Sequence, residues 1–221
     1  MVANVAYQPF GGVKSYTLGN GQSYTRSYDL DGRIASYSLG AKQFNLGFDA
    51  ASRIASIAEY GNAINTNNYG YDALDRLTQA LLPNKSVNYA YDAVGNRLLR
   101  TVGANTDLYA YASTNNQLVS ITTVSGPLRS FQFDANGSTL GDGANQYAYD
   151  ARGRLIRAMS AWGSTDYQVN ALGQRVRKSG TGADAVFHYD TRGRLIAESD
   201  PGGAVRREYL YLNDVPVAVI Q

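Results

Sequence analysis

The stretch "YAYDAVGNRLLR" (Tyr89–Arg100) decides the fold. Tyr89 and Tyr91 alternate with Ala90, and a period of two with aromatics reads as a strand. Side chains alternate across a strand, so the two tyrosines share a face. "DAVGN" is turn chemistry, because Asp bonds to nearby backbone amides and Gly or Asn tolerates positive φ. "RLLR" then reads as the return strand. Taken alone, Asp92 and Arg97 beside tyrosines also look like chemistry, so the stretch is either a site or a building unit.

Repetition decides between the two. Stretches aligned on Tyr91-Asp92 start at Tyr28, Phe48, Tyr71, Tyr91, Tyr111, Phe133, Tyr149, Val169 and Tyr189, with a degenerate copy near Tyr211. Most starts lie 20 residues apart. The first position is aromatic in eight of nine copies, and the second is Asp in seven, with Ala112 and Asn170 as exceptions. The fifth is Gly in six, replaced elsewhere by Ser52, Asp75 and Asn115. An Arg follows in seven: Arg33, Arg53, Arg76, Arg97, Arg154, Arg175 and Arg194. The motif residues are therefore Tyr28, Asp29, Gly32 and Arg33; Tyr71, Asp72 and Arg76; Tyr91, Asp92, Gly95 and Arg97; Tyr149, Asp150, Gly153 and Arg154; and Tyr189, Asp190, Gly193 and Arg194. A catalytic group is needed once, whereas a turn cap is needed in every repeat.

The expected fold is all-β, a long twisted and curled sheet of antiparallel hairpins. Residues 1–221 read as a single array of about ten repeats of roughly 20 residues. No window sustains an apolar period of 3.6, and the recurring glycines oppose long helices. Lone hairpins are marginal in water, so neighbours must support one another. Ten hairpins supply about twenty strands and, at ~4.8 Å spacing, an arc of about 95 Å. Closed once, that makes a tube about 30 Å across, too narrow for a folded 100-residue domain about 34 Å wide. The expectation is a partial wall with two open ends.

Composition excludes several function classes. Net charge is +2 and charged residues make up 17% of the chain, so no nucleic-acid footprint exists. Cysteine is absent, which removes thiolate nucleophiles and thiolate metal sites. No apolar run reaches the ~20 residues of a membrane helix, and "MVANVAYQPFGG" is not a signal peptide. No phosphate-binding glycine loop or nucleophile elbow is present. "DLDG" (29–32) resembles the start of a calcium loop, but the later ligands do not follow. His188, the single histidine, takes a slot held by alanine in other copies and reads as an outward strand residue. Trp162, the single tryptophan, reads as packing at a repeat junction, with sugar contact as the other reading. No catalytic, cofactor or metal residue is expected, and no enzyme activity.

"YDLDGRIASY" (28–37), "YAYDAVGNRL" (89–98), "YAYDARGRLI" (147–156) and "YDTRGRLIAE" (189–198) closely resemble the YD, or RHS, repeat of bacterial Rhs proteins, toxin-complex C components and teneurins. "YQPFGGVKSYTLGNGQSYTRSYDLDGRI" (7–34) looks like one full repeat with its lead-in, and "YLYLNDVPVAVIQ" (209–221) resembles the last stretch before the family's C-terminal core segment. The resemblance implies a strip of hairpins spiralling into a hollow shell, non-catalytic itself. In toxin-bearing members the shell holds a toxic C-terminal domain, and in teneurins a related barrel displays adhesion surfaces. It further implies secretion, a cell-surface location or delivery by a specialised system. The implied partners are the rest of a longer Rhs-type chain and an enclosed toxin domain. The alternative is a surface module binding glycans through its tyrosine-rich face. The core motif, self-cleavage site and toxin domain of complete members are not found, so the expectation is a fragment truncated at its C-terminal end. "DPGG" (200–203) faintly resembles a cleavage sequence but reads as a turn.

Overall fold

The computed structural model describes residues 2–9, 11–124, 128–181 and 184–221. The described chain is all-β and holds no helix, hence none long and apolar enough to cross a membrane. Thirteen strands, from Val2–Tyr7 to Arg129–Ser130, form one antiparallel sheet in chain order. Ten more, from Gln132–Phe133 to Val215–Ile220, form a second. Among the described residues neither sheet closes on itself. The strands group into two compact units, one up to Tyr109 together with 123–124, the other Ala110–Thr122 together with the chain from 128.

The hairpin read from Tyr89–Arg100 is present as Lys85–Tyr91 paired with Arg97–Val102. Long Asp-bearing turns close one end of each hairpin. Tight links join successive hairpins, several of them only two residues long: Leu39 faces Lys42, and Val102 faces Asn105. Such turns need left-handed backbone to match strand twist. Gly40 and Gly103 supply it, at φ 61° and 59°.

One regular feature was not expected from the pattern. Every hairpin with an Asp-type turn and a described ladder carries one extra residue on its return strand. Tyr91 faces Arg97 but Ala90 faces Leu99, leaving Leu98 unmatched. The same slip leaves Ala35, Ala55, Thr78, Leu140, Ile156, Val176, Ile196 and Arg206 unmatched. A bulge of this kind bends its strand and raises local twist. It recurs at the same place, one residue in from the turn, in each of these hairpins.

Neither unit has a conventional core. Ala80 and Val87, 6% and 5% exposed, are the buried hydrophobic residues among those described. They face one another across adjacent strands. The accessible surface totals 14131 Å², against roughly 9,900 Å² for a compact monomer of 23.9 kDa. Most strand residues are half-buried on both faces.

Candidate functional site

The recurring site is the turn. Asp29 N–H donates to the Arg33 carbonyl at 2.9 Å, and Gly32 N–H returns to the Asp29 carbonyl at 3.1 Å. The same pair of bonds recurs at Asp49, Asp72, Asp92, Asp134, Asp150, Asn170 and Asp190. Asp29 Oδ1 accepts two further N–H groups, from Asp31 and Arg33, at 3.0 and 2.9 Å. Its Oδ2 accepts Arg33 Nε at 2.7 Å. Gly32 sits at φ 78°, and Ser52 and Asp75 adopt the same left-handed backbone at 62°. An L side chain there costs more than glycine. The caps around those two residues hold the strained conformation.

The arginine then leaves its own turn. Arg76 Nε donates to Asp72 Oδ2 at 2.7 Å, its guanidinium lies 4.8 Å from the Tyr91 ring, and its Nη1 donates to the Asp92 carbonyl at 2.8 Å. Arg53 makes the same set with Asp49, Tyr71 and Asp72. Arg33 lies 4.4 Å from the Phe48 ring, and Arg194 5.1 Å from Tyr211. In the repeat after Arg154, Val169 stands where the other copies have a ring, and Arg154 keeps its bond to the Asn170 carbonyl at 3.0 Å. The tyrosine completes the link in the opposite direction. Tyr91 Oη donates to the Leu77 carbonyl at 2.8 Å, as do Tyr71 to Ile54, Tyr149 to Thr139, Tyr189 to Arg175 and Tyr211 to Leu195. Phe48 and Phe133 lack the hydroxyl. Where Tyr, Asp and Arg are all present, they tie one turn to the next.

Three sequence assignments shift by one residue. Arg97 does not occupy the place of Arg76. Asn96 does, with Nδ2 2.9 Å from Asp92 Oδ2. Arg97 lies over the rings of Tyr89 and Tyr109, at 5.9 and 4.3 Å. Arg175 likewise lies over Tyr167 and Phe187, while Gln174 takes its place in the turn. In the Tyr111 copy the turn is one residue longer: Ala112 N–H reaches the Gln117 carbonyl, and Asn116, not Asn115, has positive φ. The structure also adds a turn that the sequence comparison had folded into a lead-in. Gln8 N–H donates to the Gly12 carbonyl and Gly11 N–H to that of Gln8, the same ladder as at Asp29.

The bonds hold the carboxylates ionised. The Arg154 guanidinium, followed by its backbone N–H, lowers Asp150 to about 2. At Asp49, Asp72 and Asp190 the backbone N–H of the following arginine is the chief lowering cause, against partial desolvation. At Asp29 and Asp92 desolvation pulls upward and is outweighed by bonds from Arg33 and Asn96. Each folded value lies below the ordinary 3.8, so each group stabilises the folded state above about pH 4 and loses that contribution as pH falls toward 2. The melting temperature should be level from pH 7 to about pH 5 and drop steeply between about pH 4 and 2. A drop centred near pH 6 would contradict this.

Two polar residues are buried outside the motif. Asp142, 6% exposed, accepts Asn145 N–H at 2.7 Å, Ala144 N–H at 3.1 Å, the Tyr147 hydroxyl at 3.2 Å and Arg129 at 2.7 Å. Burial opposes its ionisation, yet these bonds keep its pKa well below the usual carboxylate range. Its Asp142-Gly143 pair was a turn signal in the sequence, hidden because it falls off the repeat register. Ser199, 2% exposed, bonds the exposed His188 Nε2 at 2.9 Å and donates to the Asp200 carbonyl at 3.0 Å. With the hydroxyl proton committed to that carbonyl, His188 is the donor, which is the wrong direction for activating a serine. "DPGG" forms an ordinary turn, Asp200 N–H to the Ala204 carbonyl at 2.9 Å. Among the described residues no three acidic or histidine side chains come together as metal ligands.

A sequence model of the teneurin YD-shell matches residues 78–218. The chain belongs to the teneurin YD-shell family. Solved structures agree on the fold of this YD-shell chain. It is similar to a Photorhabdus luminescens Tc holotoxin pore with a mutated TccC3, at TM-score 0.67 and 14% identity over 96% of this chain and 15% of that one. It is also similar to TcdB2-TccC3-TEV, at TM-score 0.53 and 14% identity over 98% and 16%. A third likeness is TcdB2-TccC3 without its hypervariable C-terminal region, at 0.52 and 13% over 99% and 16%. The YD-shell chain therefore spans about one-sixth of the length of these structures. No curated protein matches it.

Within this YD-shell chain the arginine tie predicts a mutational contrast. Arg76→Ala removes a ring contact and bonds to two repeats, and is expected to lower the melting temperature by several degrees. Arg76→Lys should recover little, because a point charge cannot make the fork. Arg152→Ala, at an exposed turn tip, should change nothing measurable. Equal effects of Arg76→Ala and Arg152→Ala in a thermal melt would remove the tie as a source of stability.

Proposed function

We propose that this chain is a non-catalytic wall segment of a longer YD-repeat protein, and that the complete wall encloses a C-terminal toxic domain until delivery. The observation carrying this reading is the surface left uncovered. A chain with 14131 Å² exposed and, among its described residues, two buried hydrophobic ones suits one layer of something larger. Its polar motif residues are used up within the turns, which supports a structural role. The likeness to TcdB2-TccC3 supports the longer chain and the enclosed domain as its partners. A secreted or cell-surface setting, or delivery by a specialised system, follows from the same reading.

The test is limited proteolysis of the full parent chain. The C-terminal domain should resist protease when the wall is intact and become cleavable when residues 66–102 are deleted, removing two hairpins. Unchanged protection after that deletion would defeat the enclosure reading, while leaving family membership in place.

A further inference from the structure

At the Gln8 turn a glycine takes the arginine's place. Gln8 N–H donates to the Gly12 carbonyl as Asp72 N–H does to that of Arg76, so Gly12 corresponds to Arg76. The next tyrosine keeps the register: Tyr28 Oη donates to the Val13 carbonyl at 3.0 Å, as Tyr91 does to Leu77. Where arginine is replaced in later turns a polar side chain remains, that of Asn96, Gln117, Ser138 or Gln174. The amide nitrogens of Gln117 and Gln174 reach the next turn, 3.5 and 3.2 Å from where a β-carbon on Gly137 and Gly193 would stand. Gly12 has no side chain to send. Between the Gln8 and Asp29 turns lies a cleft of about 420 Å³, with Gln8, Gly12, Tyr28, Asp29 and Leu30 among its lining residues.

The other repeats show what fits such a place. Arg53, Arg76 and Arg194 each lay a guanidinium over the next ring and donate to a carbonyl of the next turn. Tyr28 and Asp29 offer the same ring and the same carbonyl. We infer that this cleft binds a guanidinium group, that of an arginine free in solution or carried by a peptide. The Tyr28 face attracts a cation, and a planar guanidinium stacks on it where a compact ammonium does not. Leu30, exposed at the border of the cleft, gains by covering the methylenes of an arginine. An anion would meet carbonyl oxygens and the Asp29 carboxylate. Gln8 stands where Asp72 receives Arg76, so an acceptor is kept and the charge is lost, and the expected affinity is millimolar. The site lies within one unit and stands whether or not the wall encloses a toxin.

The test titrates Nα-acetyl-arginine amide into the isotope-labelled 221-residue chain, with the lysine and citrulline analogues as controls. The arginine probe should move the Gly12, Leu30 and Gly32 amide resonances saturably, with a midpoint about fivefold below either control. A pentapeptide with a central arginine separates the two sources. A midpoint about tenfold below that of the amide assigns the site to peptides, and an equal one to the guanidinium alone. Gly12→Arg supplies the group from the chain itself, and should abolish the shift and raise the melting temperature. Its β-carbon would meet the Tyr28 hydroxyl at 3.3 Å, the movable end of a side chain. Arg76→Gly opens the same cleft at another turn. It should add a second binding event at the Gly95 amide, about fivefold tighter because Asp72 restores the charge. This second variant keeps the test decisive if Gly12→Arg misfolds. No saturable shift, equal midpoints for all three amides, or a shift that persists in folded Gly12→Arg would overturn the inference. So would the lack of a second event in Arg76→Gly.

Discussion

Val87→Asp is expected to unfold the middle of the first unit, at a cost of about 4 kcal/mol. Val87 is 5% exposed and lies in a row with Ala80 on one neighbouring strand and Val102 on the other. A carboxylate there would leave water without gaining a charged partner from that row. Val87→Ile, which adds one methylene, should cost less than about 1.5 kcal/mol. Urea unfolding followed by circular dichroism separates the two. An unchanged midpoint for Val87→Asp would mean that the buried row contributes nothing and that the turns alone hold the strands.

Gly180→Ala is expected to cost about 2–3 kcal/mol, although it adds a single methyl group. A β-carbon at Gly180 would stand 2.3 Å from the Ser164 carbonyl oxygen and 2.9 Å from the Thr165 α-carbon. Both are backbone atoms of the paired strand, so the ladder itself must open. Gly70→Ala is the control, since its new carbon would meet the Gln79 side chain at 3.5 Å, an ordinary contact. Gly70→Ala should be neutral or slightly stabilising. Comparable melting temperatures for the two variants would show that the strands at Gly180 are not as closely paired as described.

Much of this architecture is legible in the chain because the repeat is printed many times. Tyr91, Asp92 and Gly95 could be assigned by comparison with sister copies, and the strand pattern followed from alternation. What escaped comparison has a physical reason in each case. Asn96 does the work of an arginine because an amide also offers an N–H at the right reach, so side-chain type misplaced the register by one. Leu98 and its equivalents look like ordinary strand residues, since a bulge is a property of pairing between two strands and leaves no mark on either alone. Asp142 is invisible to repeat logic because it occurs once. Trp162 looked like packing because large aromatics usually are buried, whereas it is 91% exposed at the two-residue link between Leu155–Ser160 and Gly163–Val169.

The tie between turns has a dynamic consequence. Where each arginine grips the next repeat, opening one hairpin strains its neighbour, so amide protons over several repeats should exchange together. Arginine is absent from that place at Asn96, Gln117, Ser138 and Gln174, and around the middle two, Gln117 and Ser138, the strands also shorten to two residues at Arg129–Ser130 and Gln132–Phe133. The pair Arg129–Asp142 is a local clasp across that stretch. Amide exchange should therefore begin between about residues 112 and 141 and spread outward, making this the place where a continuous wall would first come apart.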